Sequence, residues 1–143
     1  MKADANRLVI DASVTLAWCF EEEKTPFTKG ILDRMAEGAE AAVPAIWPLE
    51  IANALLTAER HKRLAPSQSS VFLDQLEHFN ISVESLTLSR AFTRILDEAR
   101  QWHLSSYDAS YLELALRQGL PLATLDQNLK KAAKSLGVST FHG

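Results

Sequence analysis

Cysteine is nearly absent from this chain: Cys19 is the one example in 143 residues. A lone thiol forms no intramolecular disulfide, so a disulfide-stapled scaffold is excluded and a reducing, cytoplasmic compartment is expected. With 5 Gly and 5 Pro the composition is neither collagen-like nor a low-complexity tract. Basic excess is also missing. The 15 Lys and Arg stand against 18 Asp and Glu, giving a net charge of -3, so any contact with nucleic acid must come from local basic patches. Long apolar runs are missing too. The most tempting, Val9 to Phe20, is interrupted by Asp11 and followed by Glu21, Glu22 and Glu23, and none approaches the ~18 apolar residues of a membrane span. What remains is 47% hydrophobic and 23% charged, as in an ordinary globular core. One domain over 1–143, with no membrane segment and no targeting signal, is the expectation.

Short β-branched or apolar runs alternate with stretches of helical period. Leu8-Val9-Ile10 reads as a buried strand, and Ala12 to Phe20 then changes to helical spacing. Thr25-Pro26 reads as N-cap and first helical residue of a helix that stops near Gly38. Ala41 to Pro44 is a second strand. Helices follow to Arg63 and from Pro66 to Phe79, then a half-buried strand from Ile81 to Leu86. Helices from Ser89 to Trp102 and Ser106 to Gln118 come next, the second closed by Gly119. Leu120 to Thr124 is a strand, Asn128 to Leu136 a helix, and Val138 to Phe141 a last strand. Strands separated by helices predict an α/β fold, a three-layer α/β/α sandwich with a mainly parallel central sheet.

Open parallel sheets bind ligands beyond the carboxyl ends of their strands. Asp11 directly follows the first strand, and Asp126 follows Leu122-Ala123-Thr124-Leu125. Glu50 lies among apolar residues near a helix start, and Asp108 in the first turn of another helix. An acid in a first turn ordinarily complements the helix dipole, which is explanation enough for Asp108 alone. Asp11 is harder to explain that way, because a charge ending a buried central strand is costly without a cation or donor. Four carboxylates converging at one edge would repel one another, and no Lys or Arg lies within three residues of Asp11, Glu50 or Asp108. A hard divalent cation is the economical remedy, and an all-oxygen donor set suits Mg²⁺ or Mn²⁺ better than zinc. Such sites hydrolyse phosphodiesters by polarising the phosphate and activating water.

The segments Val9-Ile10-Asp11-Ala12-Ser13, Pro48-Leu49-Glu50-Ile51-Ala52-Asn53, Tyr107-Asp108-Ala109-Ser110-Tyr111 and Leu122-Ala123-Thr124-Leu125-Asp126, taken in this order, resemble those of PIN-domain ribonucleases. Within that family the chain is similar to the VapC-type toxins of type II toxin–antitoxin pairs, over essentially its whole length. The resemblance implies a PIN-like fold with Asp11, Glu50, Asp108 and Asp126 as catalytic and metal-binding acids for Mg²⁺ or Mn²⁺. Ser13, Asn53 and Thr124 fall on supporting polar positions. It also implies an RNA substrate cut to leave a 3′-hydroxyl and a 5′-phosphate, a cognate antitoxin protein gripped near Trp18, and a homodimer. Two departures stand out. Ala12 occupies a position that is frequently Thr, and Asn128 stands where many relatives carry a further Asp, which bears on a second metal.

Other features carry less. His61, His78, His103 and His142 show no ligand spacing and lie outside the acidic motifs. Arg60, Lys62 and Arg63 read as complements to a helix end. Lys130, Lys131 and Lys134, just after Asp126, are the better candidates for contacts with RNA phosphates. Three alternatives compete with the nuclease. A phosphatase using Asp11 as nucleophile would want a second Asp where Ser13 stands. A receiver-like Mg²⁺-binding signalling domain needs an acidic pair near the first strand. A degenerate PIN domain that only binds RNA sits poorly with four retained acids.

Overall fold

The computed structural model describes residues 6–141. Four parallel strands form one sheet in the order β3-β2-β1-β4, where β1 is Arg7–Ile10, β2 Glu40–Val43, β3 Asn80–Val83 and β4 Leu122–Ala123. β1 pairs with β2 through Leu8 and Ala41, and with β4 through Val9 and Leu122. The chain therefore steps outward from β1 to β2 and β3, then returns to place β4 on the other side of β1. Right-handed crossovers carry the connecting helices to opposite faces when the direction reverses, which gives the α/β/α layering. β1 is central, and Leu8, Val9 and Ile10 are fully buried in a core shared with Val43, Leu112, Leu114, Leu122 and Leu129.

The helices are α1 (Ala12–Ala17), α2 (Pro26–Ala36), α3 (Trp47–Arg60), α4 (Pro66–Glu77), α6 (Ser106–Gln118) and α7 (Gln127–Ser135). Between α4 and α6, residues Leu88–Arg90, a π-helical stretch Ala91–Ile95 and Leu96–Trp102 run on as a single helix, α5. Their starts are locally written. Asp11, Thr25, Ser105 and Asp126 each cap a helix through a side-chain oxygen that accepts a backbone N–H. At Gly119 the backbone turns left-handed at φ 66° and closes α6. No helix among the described residues is long and apolar enough to cross a membrane.

Several expected elements are shorter. The first helix ends at Ala17, because Trp18 and Cys19 already fold back onto Thr15 and Leu16. The strand expected over Ile81 to Leu86 is an edge strand that ends at Val83, and Glu84 beyond it is held by Arg117 and Gln118. The helix from Ser89 to Trp102 is interrupted by its π stretch. The last strand shrinks to an isolated parallel bridge between Leu122 and Thr140, since β4 is only two residues long and offers little ladder.

Candidate active site

The switch in strand order falls between β1 and β4, where neighbouring connections leave in opposite directions and open a crevice at the carboxyl edge. Asp11 and Asp126 emerge at that crevice. Asp11 is 5% exposed, and its carboxylate is satisfied by short-range donors. Ser13 Oγ donates to Oδ1 at 2.6 Å, the Val14 N–H to the same oxygen at 3.1 Å, and Thr124 Oγ1 to Oδ2. Thr124 accepts the Asp126 N–H at 3.0 Å, and Ser13 accepts the Leu125 N–H at 3.1 Å. Two hydroxyls thus stitch the end of β1 to the turn after β4. Asp126 itself caps α7 by accepting from the Leu129 N–H at 3.0 Å.

Glu50 stands in the first turn of α3, and its Oε1 accepts the Tyr111 hydroxyl at 2.5 Å. Asp108 stands in the first turn of α6, whose N-cap Ser105 accepts its N–H at 3.0 Å. Burial, then the charge of Asp108, pushes the Asp11 carboxyl above its ordinary value against the pull of its three donors. Glu50 is raised by burial and by Asp108 and Asp11, opposed by Tyr111. Asp108 is raised by burial and by Asp126. Asp11, Glu50 and Asp108 thus feel one another's charge, and Asp126 adds to that on Asp108. None of them takes part in an ion pair among the described residues. No three His, Cys, Asp or Glu side chains among the described residues form a ready-made metal cage.

Ser13 and Thr124 thus stand where the acids need donors. Asn53 and Asn128 are exposed, and no hydrogen bond among the described residues joins either to an acid. Tyr111 was not assigned a role from sequence, although a buried Tyr three residues after Asp108 on a helix requires a partner for its hydroxyl. That requirement was the available signal. Of the basic residues, Arg63 is engaged by Glu22 and Glu23 and stacks over Phe20, which removes it from the site. Lys130 lies 5.5 Å from the Phe27 ring centre. Lys131 and Lys134 are exposed on α7. His142 lies outside the described residues.

A parallel α/β sheet whose switch point opens onto coupled acids defines a class of proteins with their working site at the strand ends. Within that class the chain belongs to the PIN domain family, whose family model matches residues 8–135. The fold is similar to the crystal structure of PAE2754 from Pyrobaculum aerophilum, at 24% identity and a TM-score of 0.70, covering 94% of this chain and 83% of that one. VapBC2 from Rickettsia felis, bound to a DNA fragment from their promoter, is similar at 12% identity and a TM-score of 0.67, covering 94% and 97%. FitAcB from Neisseria gonorrhoeae is similar at 17% identity and a TM-score of 0.64, covering 94% and 96%. No curated protein matches the chain in sequence.

Proposed function

We propose that this PIN-domain chain is a metal-dependent endoribonuclease and the toxin of a toxin–antitoxin pair. One observation carries the reading: Asp11, Glu50 and Asp108 stand close enough to disfavour one another's charge, Asp126 adds to the load on Asp108, and no ion pair among the described residues neutralises any of them. A buried carboxylate such as Asp11 without a counter-charge is costly. The donor set is all carboxylate oxygen, which fits Mg²⁺ or Mn²⁺. Asp11, already oriented by Ser13, Thr124 and the Val14 N–H, is the fixed ligand, while Glu50, Asp108 and Asp126 would complete the site. When bound, the cation supplies positive charge for the phosphate and acidifies water.

The chain's own residues supply the rest. Ser13 and Thr124 hold the Asp11 carboxylate in one orientation, and Tyr111 does the same for Glu50 by donating to Oε1. Both restraints favour the ionised acid, which is the form a cation requires.

Partners are supported by separate surfaces. An apolar groove of about 550 Å³ between α2 and α4 includes Trp18, Leu32, Phe72 and Phe79; we assign it to the antitoxin, in keeping with the grip expected near Trp18. A toxin–antitoxin complex from Klebsiella pneumoniae shares the fold at a TM-score of 0.58 and 16% identity, covering 83% of this chain and 86% of that one. The exposed Leu49, Leu86 and Phe92 around a second groove suit a homodimer contact. The deciding experiment expresses the chain and sequences the RNA ends produced, with Asp11→Asn beside it. New 5′-phosphate ends that vanish in the variant support the reading; identical ends remove Asp11 from the chemistry.

A further inference from the structure

A cleft of about 310 Å³ lies between the carboxyl end of α5 and one face of α7. Gln101, Trp102 and His103 line it from α5, and Asn128, Lys131 and Ser135 from α7. The α7 residues recur at helical spacing, so they form one stripe facing the cleft. The lining contains no carboxylate, although acids outnumber bases in the whole chain by 18 to 15. Ammonium, imidazole, carboxamide and hydroxyl groups can all donate hydrogen bonds. An acid-free lining rich in donors suits an anion.

Its place in the chain says which anion. Asn128 stands in the first turn of α7, directly behind Asp126, which caps that helix. His103 ends α5 in a left-handed conformation at φ 55°, just before Ser105 caps the helix carrying Asp108. Two lining residues, Asn128 and His103, thus stand within one helical turn of Asp126 and of the cap of the Asp108 helix. A strand whose scissile phosphate sat at the acids would carry its neighbouring phosphates over this lining. The lysines of α7 are also divided. Lys130 is turned to Phe27 and Lys134 lies outside the cleft, whereas Lys131 lines it.

We propose that this cleft, with Lys131 as its charged centre, binds a backbone phosphodiester of the RNA strand next to the scissile bond. The proposal rests on the nuclease reading above and adds a binding site to it. Lys131 meets the phosphate as a point charge, and the amides and His103 direct its oxygens.

The test uses the full chain carrying Asp11→Asn, so that RNA is bound and not cut, with Mg²⁺ and a short fluorescent single-stranded RNA of mixed sequence. Anisotropy titrations over a salt series compare Lys131→Ala with Lys130→Ala and Lys134→Ala, which remove the same charge from the same helix. Lys131→Ala is expected to weaken binding several-fold more than either control and to reduce the slope of log K against log salt by about 0.7, the value for one phosphate on a single strand. Lys131→Arg should restore most of the affinity. In the chain with Asp11 intact, Lys131→Ala should raise KM for RNA cleavage and leave kcat close to its original value. Equal effects at the three lysines, while the Asp11→Asn chain binds RNA and the chain with Asp11 intact cleaves it, would overturn the cleft and spare the nuclease. No binding by the Asp11→Asn chain together with no cleavage by the chain with Asp11 intact would overturn both.

Discussion

The Tyr111 hydroxyl donates to Glu50 Oε1 at 2.5 Å, joining α6 to α3 across the candidate site. Tyr111 is 1% exposed, so its phenol has no water to fall back on. Burial and the neighbouring carboxylate hold the phenol proton far more tightly than usual, so Tyr111 acts as a donor throughout the working pH range. Tyr111→Phe should cost about 1.5–3 kcal/mol, as for a hydrogen bond to a charged group, and should raise the Glu50 carboxyl further by removing the contact that lowers it. Chemical denaturation at neutral pH measures the first effect. A titration of Glu50 by carbon NMR measures the second, and an unmoved Glu50 would mean that the contact does not restrain it.

The second prediction concerns metal and pH. Asp11, Glu50 and Asp108 all have folded-state values above their ordinary ones. Between the ordinary and the raised value the folded state binds more protons than the unfolded one, so stability falls as pH rises through that window. Mg²⁺ or Mn²⁺ removes the cause by supplying the counter-charge. At neutral pH, metal at one hundred times its Kd should stabilise the chain by about 2.7 kcal/mol and flatten the pH dependence. Asp11→Asn should be at least as stable as the parent in chelator and should lose most of the metal response. Melting curves with Mg²⁺, with Mn²⁺ and with chelator check both. Equal melting temperatures at saturating metal would argue against a site that binds it.

A fourth acid, Glu98, is raised in the same direction away from the site. Glu98 on α5 is pushed up to about 7 by burial and by the nearby Glu113, with Arg94 opposing. Its Oε1 is buried without a partner among the described residues. From its ordinary 4.5 up to about 7, ionisation should cost folded stability, on the order of 1 kcal/mol once solvent screening at this partly buried position is allowed for. Glu98→Gln should therefore be more stable than the parent at pH 8, with little or no gain at pH 4. Paired urea titrations at the two pH values read the difference directly, and a gain of equal size at both would show that ionisation is not its source.

The sequence made the strand ends legible because apolar runs in parallel sheets are continuous and stop abruptly. Ile10 followed by Asp11, and Ala123 followed two residues later by Leu125-Asp126, mark such stops. Helix starts were legible where the signal is local, as at Thr25-Pro26 and at Ser106. Elements that owe their extent to pairing were not. β3 is an edge strand with a mostly exposed pattern, so its alternation overstated its length, and Thr140 meets β4 only at one bridge. The acids could be read from their places at strand and helix ends. The donors could be read only in part: Ser13 lies two residues from Asp11, but Tyr111 reaches Glu50 across 61 positions of sequence, and no local pattern encodes that contact. The division of labour among Lys130, Lys131 and Lys134 depends on which side of α7 faces Phe27, and so needed the packed helix.

The last prediction isolates the hydroxyl between the two strand-end acids. Thr124 is fully buried; it donates to Asp11 Oδ2 and accepts the Asp126 N–H at 3.0 Å. Thr124→Val keeps the shape and removes both bonds at once. Asp11 then loses a donor that lowers its pKa, so its carboxyl should rise further and compete less well for a cation until higher pH. The Asp126 N–H loses its acceptor, and the turn before α7 loosens. Stability should drop by about 2 kcal/mol, within the range for a hydrogen bond to a charged group, and the pH at which Mg²⁺ begins to raise the melting temperature should move upward. RNA cleavage at neutral pH should fall with it, and Thr124→Ser, which keeps the hydroxyl and loses only a methyl, should recover most of the activity and the original pH threshold. The measurement is a set of melting curves with and without Mg²⁺ from pH 4 to pH 9 for the three chains, run beside a cleavage assay on one RNA. If Thr124→Val loses stability but its Mg²⁺ threshold stays with that of the parent, Thr124 is a structural pin for the β4 turn and does not tune Asp11.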